Sequence, residues 1–145
     1  MMNNGLFQSS VIPVLEQVAS FAEARHGLLA GNVANLDTPG YRVRDLSVET
    51  FQERLREAIE TRETARASGH DSPGLLAPGA VTDSHDEAMR RVKDSMTSIL
   101  YHDDSNVGME QQVLELSKNN FLHNLAVSVM SSQFRLLQSA IREQV

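Results

Sequence analysis

The sequence predicts an all-α fold: long N- and C-terminal helices paired as an antiparallel coiled coil, with two shorter helices and a flexible middle loop. Two observations predict it. Apolar residues recur in alternating steps of three and four near both ends of the chain, which is the spacing of a helix seam. Between these ends, a stretch rich in Gly, Pro and Ser has no periodicity. The length of 145 residues suits one domain or an elongated pair of modules.

The first helix is predicted to begin near Ser9 or Ser10 and to end near Leu36. Pro is tolerated in a first turn, which suits Pro13. Pro39 and Gly40 follow the helix, and this pair suits the two central positions of a type II turn. Arg25 and Asn32 occupy two positions of the seam, and its apolar positions are Val11, Leu15, Val18, Ala22, Leu29 and Leu36.

The middle of the chain is predicted to hold an extended stretch, two short helices and a loop. Residues 41–46 are expected to be extended. Ser47 then caps a helix whose apolar face is Val48, Phe51, Leu55, Ala58 and Ile59. Periodicity is absent at about 64–83, which predicts the flexible loop. A third helix is predicted from Ser84, with Glu87 completing a capping box, to Leu100.

The last helix is predicted from about Val107 to near the end of the chain. Further apolar residues widen its face beyond a two-stranded seam, so we expect it to bury surface against more than one neighbour. The seam positions are Val113, Leu116, Asn120, His123, Val127, Met130, Phe134, Leu137 and Ile141.

Aligning the two seams in antiparallel order predicts a register. Val11 then faces Ile141, and Asn32 faces Asn120, where two amides could hydrogen-bond and fix the pairing. The same pattern divides the chain into three segments: 1–40 as N-terminal helix and turn, 41–104 as a middle region, and 105–145 as C-terminal helix.

Composition excludes several classes of protein. The net charge of −6 argues against general nucleic-acid binding, which needs a basic surface. The absence of Cys removes disulfides, thiolate metal sites and Cys nucleophiles. No apolar run approaches 18 residues, so no membrane span is predicted. The first ten residues lack the pattern of a cleaved secretory signal.

The histidines do not form a convincing site. His85 and His102 each precede two acidic residues, but adjacent helical residues do not face one another. A helix cap and a solvated loop explain them better than a metal does. His123 lies on a helix seam, where a core or interface role is the simpler interpretation. We therefore predict no catalytic residue, no metal and no cofactor, and an enzyme is disfavoured.

One segment is more specific. Residues 30–41 read Ala-Gly-Asn-Val-Ala-Asn-Leu-Asp-Thr-Pro-Gly-Tyr. They resemble the N-terminal signature of flagellar rod and hook proteins, in which an Ala-Asn, hydrophobic, Ala-Asn segment precedes Thr-Pro-Gly-Tyr; Gly31 replaces the frequent Ala of the first pair. The motif and turn residues carried over from this resemblance are Asn32, Ala34, Asn35, Thr38, Pro39, Gly40 and Tyr41.

Two further stretches are similar to the proximal rod type within that family. Residues 41–46 resemble the Arg-Asp extension that follows the motif. Asn106 and Val107 resemble the segment that opens the C-terminal helix, although Gly108 stands where an acid is expected and Ser105 where Gly is expected. The resemblance covers both ends of the chain and leaves the middle loop undefined.

The resemblance implies a structural, non-enzymatic subunit at the proximal end of the basal-body rod, in the periplasm, exported by the flagellar type III apparatus without a cleaved signal peptide. Its implied partners are copies of itself, other rod proteins, and the membrane-ring, rod-adaptor and export-gate proteins at the rod base. The two long helices are expected to form the inter-subunit core. The residues of this assembly seam are Val11, Leu15, Val18, Leu29, Leu36, Val113, Leu116, Val127, Met130, Phe134, Leu137 and Ile141.

Two hypotheses from other classes stay open at this point. A cytoplasmic helical adaptor or secretion chaperone would form a stable small oligomer and would not be exported. A metal-dependent helical enzyme would retain metal after purification and would lose activity on mutation of a His.

Overall fold

The computed structural model describes residues 11–67, 87, 90–94, 98–100 and 108–143. In chain order its elements are α1 (Ile12–Ala34), β1 (Arg44–Leu46), α2 (Val48–Ala67), β2 (Ser98–Leu100) and α3 (Met109–Glu143). Helices dominate, and the long terminal helices α1 and α3 pack together. The predicted all-α class is confirmed. No helix among the described residues combines the length and the apolar character that a membrane span requires.

The described residues fall into two compact units. One draws on residues 1–45 and 99–145 and contains α1 and α3; the other draws on residues 46–98 and contains α2. The division of the sequence at residues 40 and 104 stays a prediction.

Helix α1 begins close to the predicted position. Val11 precedes its first residue and accepts hydrogen bonds from the backbone N–H groups of Val14 and Leu15, at 3.1 Å each. Pro13 lies in the first turn, where its missing N–H costs no hydrogen bond. The buried face of the helix includes Phe21, Ala22 and Leu29, together with the polar Arg25 and Asn32.

Helix α2 follows the predicted cap. The Ser47 hydroxyl accepts a hydrogen bond from the Thr50 backbone N–H at 3.1 Å, which satisfies one of the free donors of the first turn. Phe51 and Ala58 form its buried stripe. The helix continues to Ala67, within one turn of residue 64, near which the sequence predicts that the flexible loop begins. The remainder of the predicted loop lies outside the described residues.

The third predicted helix is confirmed only in part. Residues 87 and 90–94 are helical, but residues 98–100 form β2, which pairs with β1 in a two-stranded sheet. The prediction that this helix runs to Leu100 was therefore wrong. Periodicity cannot distinguish a strand from a helix in a short apolar run such as Ile99-Leu100. The pairing gives the backbone of the extended stretch 44–46 hydrogen-bond partners that no sequence pattern indicated.

Helix α3 has 35 residues and would be about 52 Å long at 1.5 Å per residue. Every second position of the predicted seam faces inward. These half-buried positions are Leu116, His123, Met130 and Leu137. At the seam positions between them, the residue that faces inward is one position earlier in the sequence than predicted. Where the sequence predicted Val113, Asn120, Val127 and Phe134, the structure buries or half-buries Gln112, Asn119, Ala126 and Gln133.

The predicted register between the long helices was also wrong. Asn32 contacts Gln112 rather than Asn120, and these two α3 residues are about 12 Å apart along the helix. Ala22 contacts Asn119. This register places Ile12 opposite about residue 130, so the last turns of α3 extend past the described start of α1. Val11 and Ile141, which were predicted to face each other, are 52% and 67% exposed.

Candidate functional site

The motif after α1 forms two consecutive turns. The Thr38 backbone N–H donates to the Asn35 carbonyl at 3.0 Å, and the Tyr41 N–H donates to the Thr38 carbonyl at 3.1 Å. Pro39 and Gly40 are the central residues of the second turn, and Gly40 has a φ of 76°. A positive φ at the third turn position characterises a type II turn, as Pro-Gly predicts. The turn folds the chain back toward α1.

Asn35 closes the C-terminal end of α1. Its side-chain Nδ2 donates to the Gly31 carbonyl at 2.8 Å, and its backbone N–H approaches the same carbonyl at 3.2 Å. The Thr38 hydroxyl lies 3.4 Å from Asn35 Oδ1. The carbonyls of a final helical turn have no partner within the helix, so this Asn stabilises the helix end and joins it to the first turn.

Asn32 is the centre of the site. Its Nδ2 donates to the Arg44 carbonyl at 2.7 Å and to Gln112 Oε1 at 3.2 Å. Its Oδ1 accepts from the Arg44 N–H at 3.1 Å and from the Tyr41 hydroxyl at 3.2 Å. The side chain is 1% exposed, and both donors and both acceptors of the amide are used. A single residue therefore holds the turn, the start of β1 and α3 together.

A partly buried ion cluster lies on the same side of α1, two turns earlier. Arg25 donates to both carboxylate oxygens of Asp45, at 2.8 and 2.7 Å, and to Glu115 Oε2 at 3.0 Å. Lys118 donates to the other oxygen of Glu115 at 2.9 Å. The planar guanidinium matches a carboxylate in this two-pronged geometry. The cluster joins α1 to β1 and to α3.

The charges in this cluster shift two pKa values. The hydrogen bond to Asp45 is the main cause that raises the pKa of Arg25 above its usual value, against the opposing effect of burial. The hydrogen bond from Lys118 is the main cause that lowers the pKa of Glu115, with a further contribution from Arg25. Both groups are thus held in their charged forms.

A third polar contact joins the long helices. Asn119 is 2% exposed, and its Nδ2 donates to the Ala22 carbonyl at 2.7 Å. Its Oδ1 has no hydrogen-bond partner among the described residues. Gln112, Asn119 and Ala126 lie seven residues apart on α3, so one row of the face toward α1 is polar or small.

The structure brings together some of the predicted motif residues and separates others. Tyr41 bonds to Asn32, and Thr38 bonds to Asn35. Exposed residues of the motif include Ala34 at the end of α1 and Pro39 and Gly40 in the turn. Sequence reasoning placed Arg25 and Asn32 in the seam but missed their partners Asp45, Gln112, Glu115 and Asn119. The signal that could have indicated them was the presence of polar residues at seam positions of both long helices.

The predicted assembly seam is divided between two environments. Leu29 is buried, and Leu15, Val18, Leu36, Leu116, Met130 and Leu137 are half-buried. Val11, Val113, Val127, Phe134 and Ile141 are exposed. The apolar α3 residues on the exposed side therefore have no cover from α1.

A second apolar surface runs along α3 away from α1. We call it the outer apolar stripe: Leu114, Phe121, Leu122, Leu125, Val129 and Leu136, which are between 37% and 70% exposed. Steps of four and seven residues return to nearly the same side of a helix, so these residues form one continuous surface. Ser117, Asn124, Ser128 and Ser131 form a separate polar surface. Contiguous exposed apolar surface of this kind marks an interaction site.

These features define a class of protein. Two long terminal helices are fixed in register by buried polar contacts, and one of them presents an uncovered apolar surface. Among the described residues, no three His, Asp or Glu side chains are grouped to hold a metal. His85 and His102 lie outside the described residues. The geometry is that of a helical protein with an uncovered interaction surface.

Comparison with known proteins finds relatives that share one name. The chain is 23% identical over 134 residues to the Flagellar basal body rod protein FlgB of Salmonella typhimurium (strain LT2), covering 88% of this chain and 89% of the relative. It is 21% identical over 127 residues to the protein of the same name from Escherichia coli (strain K12), with the same coverages. It is 25% identical over 120 residues to that of Borrelia hermsii, covering 81% and 85%.

No protein-family model and no solved structure matches the chain. The curated matches extend over most of both chains and carry one name, so they support a FlgB-type assignment and confirm the resemblance stated from the sequence. They indicate a component of the flagellar basal-body rod. Proteins with this name are structural, which confirms that the chain is not an enzyme.

Proposed function

We propose that this chain is a structural subunit at the proximal end of the basal-body rod, and that its terminal helices assemble it into the rod. The similarity to rod proteins supports the location. The outer apolar stripe of α3 supports the assembly, because long exposed apolar surface is costly in water and is stabilised when a neighbouring helix covers it. Copies of this chain and other rod proteins are the proposed neighbours. Membrane-ring, rod-adaptor and export-gate proteins are the proposed contacts at the rod base.

The proposed route to that position is flagellar type III export with the N-terminus retained. The similarity to proteins named as flagellar basal body rod proteins supports it. Mass spectrometry of the chain recovered from purified basal bodies should find its N-terminal peptide intact. The chain should not be recovered with basal bodies from a strain that lacks a working export apparatus. A chain shortened by a signal peptidase would contradict this route.

A gene deletion tests the structural role. Electron microscopy of basal bodies from the deletion strain should show membrane rings without a rod, and swimming should be lost. The intact gene should restore both. Complete rods and normal swimming in the deletion strain would contradict the proposal and favour the cytoplasmic adaptor or chaperone.

Two matched substitutions test the outer apolar stripe within the same strain. Leu125→Asp places a charge in the stripe, and Asn124→Asp places the same charge on the neighbouring polar surface; both residues are exposed. We expect Leu125→Asp to reduce rod assembly by about tenfold or more, since an unpaired charge must be desolvated in the interface, and Asn124→Asp to assemble normally. Equal behaviour of the two variants would remove the stripe from the assembly interface. Exported amounts should be measured for both, so that an export defect is not mistaken for an assembly defect.

A further inference from the structure

The outward side of α1 is acidic, whereas the part of α3 from Leu116 to Arg142 is basic. Between Leu116 and Arg142, α3 contains Lys118, Arg135 and Arg142 and no acidic residue. The exposed acidic residues of α1 are Glu16 and Glu23, while its single Arg is buried in the ion cluster. Glu16, Glu23, Arg135 and Arg142 are exposed and form no ion pair with a described residue.

The charged pairs also have the same spacing. Glu16 and Glu23 are seven residues apart, and so are Arg135 and Arg142, which is about 10.5 Å along one side of a helix in each case. Arg135 and Arg142 lie on the same side of α3 as Ser128 and Ser131 of the polar surface, at the edge that borders the outer apolar stripe. Glu16 and Glu23 lie beside Ala24 on the outward side of α1.

The outward side of α1 carries small residues. Ser20, Ala24 and Gly27 are exposed there, and an added Cβ at Gly27 would meet no atom within 4 Å. Small side chains let two helices approach closely, and bulky side chains of the partner fill the space. The outer apolar stripe supplies such bulky side chains.

We propose that the C-terminal half of α3 docks on the outward side of α1 of a second copy of this chain, with Arg135 and Arg142 opposite Glu16 and Glu23. This proposal rests on the proposed function and names the contact that joins neighbouring copies. The two surfaces differ, so each copy uses one to bind the copy before it and the other to bind the copy after it. Such a head-to-tail contact continues into a helical assembly when its rotation does not close a ring.

Disulfide crosslinking tests the contact directly, because the chain has no Cys of its own. Ser20 lies between Glu16 and Glu23, and Ser139 lies between Arg135 and Arg142, so these two positions meet in either helix direction. Within one chain Ser20 lies near residue 122 of α3, about 25 Å from Ser139. A disulfide needs Cα atoms within about 7 Å, so a bond between Ser20→Cys and Ser139→Cys must join two copies.

The double variant Ser20→Cys/Ser139→Cys, oxidised in purified basal bodies, should give a ladder of multimers of this chain. The control Ser20→Cys/Ser117→Cys, whose second Cys lies on the same side of α3 as Ser139 but about 33 Å nearer its N-terminus, should give several-fold less. Equal yields, or a Ser139→Cys bond to a protein of another size, would overturn the proposal. Absence of the chain from basal bodies would instead contradict the proposed function.

Charge reversal supplies an independent readout with the purified chain. Sedimentation of Glu16→Lys/Glu23→Lys and of Arg135→Glu/Arg142→Glu should each show self-association weakened by about tenfold, since like charges then meet. Combining all four substitutions should restore association. About 0.5 M salt should reduce the differences by screening. Failure of the combined variant to recover, while its dilute monomer has the helical content of the wild-type monomer, would also overturn the proposal.

Discussion

At the scale of single residues, Asn32 gives the motif a physical meaning. A short amide with two donors and two acceptors reaches the turn, β1 and α3 at once. Asn35 stabilises the C-terminal end of α1 through its hydrogen bond to the Gly31 carbonyl. Residue spacing predicted the turn correctly, because Pro and Gly impose their backbone preferences wherever they occur. It did not indicate that one Asn would be buried and fully bonded.

Asn32→Ala should therefore lower the free energy of unfolding by about 2–3 kcal/mol, because it leaves buried donors and acceptors unpaired. Asn35→Ala, which loses one half-buried bond, should cost about 1 kcal/mol. Urea denaturation at one fixed protein concentration measures both. Ala34→Ser is the control, since Ala34 is exposed. An Asn32→Ala variant as stable as this control would disprove the central role of Asn32.

Gly40→Val tests the turn without a steric clash. A Cβ at Gly40 would meet no atom within 4 Å, so the cost is conformational alone. A β-branched residue at a φ of 76° should destabilise the turn by about 1–2 kcal/mol or more and reduce rod assembly. Gly40→Asn should be tolerated better, because Asn adopts positive φ more readily. Normal rods and an unchanged melting temperature in Gly40→Val would refute the turn argument.

At the scale of elements, polar contacts decide how α1 and α3 pair. The predicted seam placed Val113, Val127 and Phe134 against α1, since apolar residues were assumed to face inward. The structure instead turns Gln112, Asn119 and Ala126 inward, one residue away. Asn32 and Arg25 are buried on α1 and need polar partners there. Satisfying them fixes both the rotation and the register of α3.

Acid should weaken this pairing through Glu115. Its pKa is lowered in the folded chain, by Lys118 first and then by Arg25. A lowered pKa contributes stability that is present above the ordinary value near 4.5 and lost as the pH falls through the folded value. The excess stability of the wild type over Glu115→Gln should thus be constant above about pH 6 and shrink toward about pH 3. Urea midpoints across this range measure it, and a difference independent of pH would contradict the prediction.

At the scale of the whole molecule, the exposed apolar surface of α3 predicts that helical order depends on association with partners. The outer apolar stripe and the seam residues Phe134 and Ile141 are exposed in the single chain. Sequence reasoning anticipated that this helix needs more than one neighbour, because its apolar face is wider than a two-stranded seam. It did not separate the residues that face α1 from those that face outward.

Helical order in the terminal helices should accordingly increase as copies associate. We expect the circular dichroism of a dilute monomer to show partial helicity, and helicity to rise with concentration or on addition of a rod partner, because association covers apolar surface and offsets the entropy of ordering. Leu125→Asp should reduce that rise, with Asn124→Asp as the control. Full helicity in a demonstrably monomeric dilute sample would contradict this expectation.

The sequence by itself determined the long terminal helices, the cap at Ser47, the Pro-Gly turn and the resemblance to flagellar rod proteins. These features depend on local spacing and on the backbone preferences of individual residues. Only the tertiary structure decided the strand at residues 98–100, the register of α1 against α3, and which face of α3 is covered. The reason is that Arg25 and Asn32 are satisfied by residues up to ninety positions away, and no local pattern specifies which distant polar group will meet them.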